Sequence, residues 1–180
     1  MSIPLQSIYT TQAGLVEEFF RRSEGNWHSQ RRYYTLNSGE SQEVLSSLTI
    51  TFLEQGCPEL LKLAQTHDLP PSSPLLCGAL TSWDSNYIGP SSKQVSGSTI
   101  FGVLGSTLYR DRGFATPNPV TAQFSLPNAN TLVLRTQYNN SDFEEEIKLI
   151  GSNYRTRQTI ISKNNQEVVI GQYLESRVVK

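Results

Sequence analysis

From residue 76 onward the chain is a succession of short stretches in which apolar and polar positions alternate. Alternation with period two gives a strand one apolar and one polar face. Strands are expected over residues 77–84, 98–104, 107–112, 120–126, 131–138, 143–150, 154–162 and 168–179. The stretches SNYIGPSSKQVSGS, RGFATPNP, PNAN, NNSD, GSN and KNNQE separate them, rich in the residues that turns require. Two earlier stretches, 27–36 and 44–53, alternate in the same way around the turn NSGES, which brings the expected strands to ten.

Helical spacing occurs twice. Over residues 11–22, Leu15, Val16, Phe19 and Phe20 form one stripe, Thr11 is placed to cap the start, and Arg21 and Arg22 suit the negative end. Pro58 opens a second, shorter helix that reaches about His67, with Leu60, Leu61 and Ala64 on its apolar side. The following LPPSSP is a connector without helix or ladder potential.

Ten strands at hairpin spacing, with no long crossover, point to an all-β fold: a ten-stranded antiparallel up-and-down β-barrel with an N-terminal helix and a short extra helix. Gly25 and Trp27 at the start of the first strand fit ligand-binding barrels of the lipocalin-like kind. Barrels of about eight to ten strands leave room for one small ligand. The 180 residues fit a single domain spanning 1–180.

Composition narrows the function classes. A net charge of -1 argues against a nucleic-acid partner, which would call for a basic excess. No apolar run approaches a membrane span, and the N-terminal residues do not read as a secretion signal, so a cytoplasmic protein is expected. Cys57 and Cys77 are too few for a disulfide scaffold; with His28 and His67 they make no familiar metal spacing, so no metal is expected.

The chemistry lies in polar residues on apolar faces. Phe143, Ile147 and Leu149 bring Glu145 onto the core face of its strand, and Ile161 does the same for Arg155, Arg157 and Thr159. Trp27, Ser29, Arg31 and Tyr33 share a face. In the last strand Tyr173, Glu175 and Arg177 lie opposite Ile170, Leu174 and Val178, and apolar groups on both sides leave the inward face open. Such arginines are ordinarily outward surface residues, and the run Glu144–Glu145–Glu146 is ordinarily a solvated edge. If Arg31, Arg155 and Arg157 do face a cavity with Glu145, positive charge is left over, and the cavity suits a ligand with carboxylates. Trp27, Tyr33, Trp83 and Tyr173 would offer flat surface to its body.

Several stretches resemble the S-type phycobiliprotein lyases, the CpcS/CpeS family of cyanobacteria and algae. The resemblance covers almost the whole chain. It is carried by FFRRSEGNWHSQR, LTSWD, SGSTIFGVL, LYRDRGFA, EEEIKLIGSNYRTRQTI and YLESR, in that order. A W-x-S-Q-R near the start and an E-x9-R-x-R near the end frame the set. The sequence departs from the family at Tyr34 to Leu36, where histidine or cysteine is frequent, and near Lys148, where a tryptophan is frequent.

The resemblance implies a lipocalin-like barrel that binds phycocyanobilin or a related open-chain tetrapyrrole as a transient ligand, with no permanent cofactor. It implies thioether attachment of that bilin to a cysteine of phycobiliprotein α- or β-subunits, such as those of phycocyanin or allophycocyanin, in a cyanobacterial cell. A homodimer is left open. By position, Arg31, Arg155, Arg157, Thr159, Trp83 and Glu175 are implied to bind bilin and Glu145 to act in catalysis. The rival expectation is a non-catalytic carrier of a hydrophobic anion.

Overall fold

The computed structural model describes residues 5–90 and 92–179, with side chains from residue 12 onward. The first helix, α1 (Leu5–Ser23), starts earlier than its expected cap, so Thr11 lies within it rather than at its N-cap. Residues 5–10 contain neither proline nor glycine, so nothing there stops the helix. At its other end the Ser23 hydroxyl donates to the Phe19 carbonyl at 2.9 Å. Gly25 (φ 135°) then turns the chain into the barrel.

Ten strands follow: β1 (Gly25–Thr35), β2 (Ser41–Glu54), β3 (Cys77–Ile88), β4 (Lys93–Leu104), β5 (Thr107–Arg110), β6 (Val120–Asn128), β7 (Thr131–Tyr138), β8 (Ser141–Ile150), β9 (Tyr154–Lys163) and β10 (Gln166–Arg177). Each pairs antiparallel with the next, and β10 returns to pair with β1, closing the barrel. Closure leaves no unpaired edge.

Two boundaries differ from the sequence expectation in an informative way. β3 extends to Ile88 and β4 begins at Lys93, so most of SNYIGPSSKQVSGS is a long hairpin arm rather than a loop. Its polar residues break the alternation because this arm rises past the core. Backbone pairing holds it there, with a Ser96–Asp84 hydrogen bond, Lys93 over the Tyr87 ring and the Gln42 amide donating to the Ile88 carbonyl. At β5 the reverse holds: the strand stops at Arg110.

The two ends of the barrel are unlike. One is plugged by α1, whose Val16, Phe19 and Phe20 are buried against Cys77, Val103, Leu126 and Leu149. Beside it Trp27 donates its indole N–H to the Ser23 carbonyl at 2.9 Å, and Arg177 stacks on the Trp27 ring at 4.2 Å. Arg177 also donates to the carbonyls of Arg22, Glu24 and Ser152, tying α1 and the β8–β9 turn to the last strand. The other end is framed by the turns after β1, β3, β7 and β9 and by the segment 111–119.

The second helix, α2 (Pro58–Thr66), packs outside, with Leu60 and Leu63 buried against Leu53 and Leu75 and flanked by Leu80 and Ile100. Paired Gly78 and Gly102 make the flat bed it needs. A Cβ on Gly78 would stand 2.0 Å from the Phe101 carbonyl oxygen and 2.8 Å from Leu60. Gly78→Ala is therefore expected to destabilise the fold by about 1–3 kcal/mol, read as a lower urea midpoint with unchanged slope. An unchanged midpoint would mean that the β4 backbone at Phe101 and α2 can both shift at no cost.

Candidate functional site

Strand register stacks the inward polar residues of β1, β10, β9 and β8 in layers. Ser29, Glu175 and Arg155 lie side by side nearest the plugged end. Arg31, Tyr173 and Arg157 form the next layer, and Tyr33, Gly171, Thr159 and Glu145 the one above. In β10 the inward face is that of Tyr173 and Glu175; Leu174 on the opposite face is 51 % exposed. The facing wall is mainly apolar, with Leu48, Ile50, Ala79, Trp83, Phe101 and Leu108.

Between these walls is a cavity of about 370 Å³, within the range of about 300–1,000 Å³ usual for small-molecule sites. Arg31, Trp83, Glu145, Arg155, Arg157 and Thr159 all line it. Glu175 does not. It is 0 % exposed and sits behind Arg155, whose Nε donates to its carboxylate at 2.8 Å. Burial alone would raise the Glu175 carboxyl, but Arg155 and Arg157, with hydrogen bonds from Arg155 and Ser29, bring it below the usual carboxylate value. Glu175 thus positions a cavity-facing arginine.

Glu145 is held from two sides. Arg157 donates to its Oε2 through Nε (2.9 Å) and through a second, shorter bond from its terminal nitrogen. Arg110 stands 3.6 Å from its Oε1. Burial would lower Arg157, but Glu145, Tyr173 and Glu175 outweigh it and raise the guanidinium above its ordinary value, so it stays charged. Flanked by two guanidinium groups, Glu145 is an acceptor; its Oε1 has no hydrogen-bond partner among the described residues, nor has the Thr159 hydroxyl. Buried polar atoms of this kind are costly to leave unpaired, and two in one cavity mark where a ligand's donors would sit.

Aromatic rings fix the arginines. Arg31 and Arg157 stack on Tyr173 at 5.3 and 5.0 Å, and Tyr173 donates to the Tyr33 hydroxyl at 3.1 Å. Gly171 makes room for this tyrosine pair, since a Cβ there would lie 3.1 Å from Tyr173 and 3.2 Å from Tyr33. Gly97 does the same for Trp83, whose ring would lie 2.7 Å from a Cβ, and Arg112 covers that ring at 5.5 Å.

Three residues of this site were not singled out by sequence reasoning. Arg110 shares the inward face of Leu108, and that spacing was the available signal. Arg112 shares that face in the expected strand 107–112, although the strand itself stops at Arg110, and Phe114 comes from the segment beyond it, where no periodicity points anywhere. Five arginines therefore line the cavity against the one carboxylate of Glu145, with Glu175 behind. An excess of positive charge inside flat apolar walls suits an anion with a large conjugated body.

The cysteines stay out of this site. Cys77 is buried under α1, and burial pushes its thiol up to about 12. It is expected to resist alkylation at pH 8 in the folded protein while reacting fully in urea; rapid labelling of Cys77 under native conditions would contradict the packing described. No group of histidine, cysteine, aspartate and glutamate among the described residues could hold a metal ion. No helix among them is long and apolar enough to cross a membrane.

A sequence model of the CpeS-like protein family matches residues 15–178. The chain is 57% identical over 173 residues to a protein of Nostoc sp. (strain PCC 7120) named "Putative phycocyanobilin lyase CpcS 2", covering 96% of each. It is 30% identical over 154 residues to the chromophore lyase CpcS/CpeS of Thermosynechococcus vestitus, covering 82% of this chain and 84% of the other. Its fold is similar to that of the S-type phycobiliprotein lyase CPES of Guillardia theta, with a TM-score of 0.74, 25% identity and 92% of each chain covered.

Proposed function

Because the chain belongs to the CpeS-like family, we propose that it is a bilin lyase: it binds an open-chain tetrapyrrole such as phycocyanobilin and promotes its thioether attachment to a cysteine of a phycobiliprotein subunit. The observation that supports the proposal is the buried Oε1 of Glu145, without a hydrogen-bond partner among the described residues, in the wall of an arginine-rich cavity. A passive carrier of a fatty anion would need the arginines but not a carboxylate with a free acceptor.

A bilin has a flat conjugated body, pyrrolic N–H groups and two propionates. Its body lies against Trp83, Ile50 and Phe101, and Arg31 and Arg155 grip a propionate. Glu145 accepts from the pyrrolic N–H groups. An ionised carboxylate there favours the protonated, cationic bilin, whose ethylidene carbon is the better electrophile for the incoming thiolate. The nucleophile belongs to the acceptor protein, and the barrel contributes position and a fixed bilin conformation. The setting is the cytoplasm of a cyanobacterial cell, where bilin and acceptor subunits meet.

The test is incubation of the protein with phycocyanobilin and a panel of phycobiliprotein α- and β-subunits, followed by denaturing electrophoresis and absorption spectroscopy. A covalent, natively coloured adduct formed only with the protein present is expected. Reversible bilin binding without any adduct would make it a carrier, and no binding would remove the ligand reading altogether.

A further inference from the structure

Arg110 is a buried cation whose hydrogen-bonding capacity is unspent. It is 6 % exposed, yet among the described residues its side chain makes no hydrogen bond, and its Nε is sealed without a partner. Glu145 stands 3.6 Å away, beyond hydrogen-bonding range, and already receives two bonds from Arg157. The guanidinium lies between Phe101 and Phe114, 5.0 and 4.7 Å from their ring centroids. Those rings orient the fork but satisfy none of its N–H groups. Burial holds Arg110 below the ordinary arginine value, opposed only in part by Glu145.

For the ligand-free fold this arrangement is unfavourable. A buried charge without well-formed hydrogen bonds costs stability, and an apolar side chain of similar volume commonly does as well or better. Arg110 comes from β5, four strands from β9, and its side chain borders the same cavity as Arg31 and Arg155.

We propose that Arg110 is a second carboxylate anchor, taking one carboxylate of a dicarboxylate ligand from the β5 wall while Arg31 and Arg155 take the other from the β1–β9 side. This rests on the bilin reading of the cavity and adds to it a specificity: the site selects a diacid. Two anchors on separate walls fix both the orientation and the depth of the ligand, which one anchor cannot do. On binding, the carboxylate supplies the acceptor that Arg110 lacks, and Glu145 keeps its bonds to Arg157.

The experiment compares phycocyanobilin with its dimethyl ester, titrated by absorption against the wild type, Arg110→Met and Arg110→Lys, with thermal melts of the ligand-free proteins. Arg110→Met is expected to bind the free diacid about ten- to a hundred-fold more weakly, as the loss of a charge-assisted pair implies, and to bind the ester much as the wild type does. Its ligand-free melting temperature is expected to hold or rise. Arg110→Lys keeps the charge without the fork and is expected to fall between the two on the diacid. If Arg110→Met binds the diacid like the wild type, or loses diacid and ester equally while melting lower, Arg110 is a structural strut and the assignment is wrong. If the wild type binds neither form, the bilin reading itself falls, and this one with it.

Discussion

Glu145→Gln is expected to slow bilin transfer by about 100- to 1,000-fold while leaving bilin affinity near the wild-type level, the weaker contact to the pyrrolic N–H groups being offset at the arginines. That magnitude is typical of losing one group aimed at developing charge. The affinity follows from the ion pairs. Removing the carboxylate's charge frees Arg157 and Arg110 from the anion they flank, and both then attract the ligand's propionates more strongly. Glutamine still accepts from Arg157, so part of the buried network survives. The bound bilin loses the group that favours its cationic form, and its absorption should move accordingly. An interaction that matters mainly in the transition state appears in the rate and not in the binding. Transfer measured under saturating bilin, with titration of binding alongside, separates the two. A wild-type rate with an unchanged spectrum would reduce the barrel to a chaperone that only orients its cargo.

The second large effect belongs to Glu175, which is buried behind Arg155 and does not line the cavity. Glu175→Leu is expected to destabilise the fold by about 3–5 kcal/mol, because it leaves Arg155 buried without its partner. Acid should act by the same route. The Glu175 carboxyl lies below its ordinary value of 4.5 in the folded protein. Its contribution is therefore fully present above the unfolded value and is lost as the pH falls through the lower, folded one. Urea unfolding followed from pH 7 downward should show stability dropping below about pH 4.5, and Glu175→Gln should flatten that drop. An identical pH slope in the variant would remove Glu175 from the acid response. Bilin affinity should fall in Glu175→Gln as well, since an arginine without its positioning partner no longer presents a fixed fork.

The architecture was legible because ten alternating stretches and their turns repeat one physical signal, and α2 was legible from Pro58. Alternation also gave the inward faces of β8 and β9, since Phe143, Leu149 and Ile161 are unambiguous neighbours for Glu145 and Arg155. It could not settle β10, where Leu174 is apolar and yet exposed. Nor does period two carry depth: it places Glu175 and Arg155 on facing positions without saying that one lies behind the other. Arg110 went unremarked because Leu108 is the one apolar residue that shares its face in the expected strand 107–112. Arg177 was read as one more residue of an ambiguous face, whereas its stacking on Trp27 depends on contact between the first and last strands.

That contact has a bearing on how the protein comes into being. Arg31 lies against Tyr173, Ser29 against Glu175 and Trp27 against Arg177, so the cavity straddles the seam where the first strand meets the last. Such pairing is the most distant in sequence that the chain makes, and distant contacts are slow to form. A ribosome that has released nine strands has produced hairpins but no container, because the wall bearing Glu175 is still inside the exit tunnel. Bilin-binding capacity should accordingly arise in one late step of folding, after most secondary structure is in place, and a nascent chain cannot take up pigment before its last strand has docked.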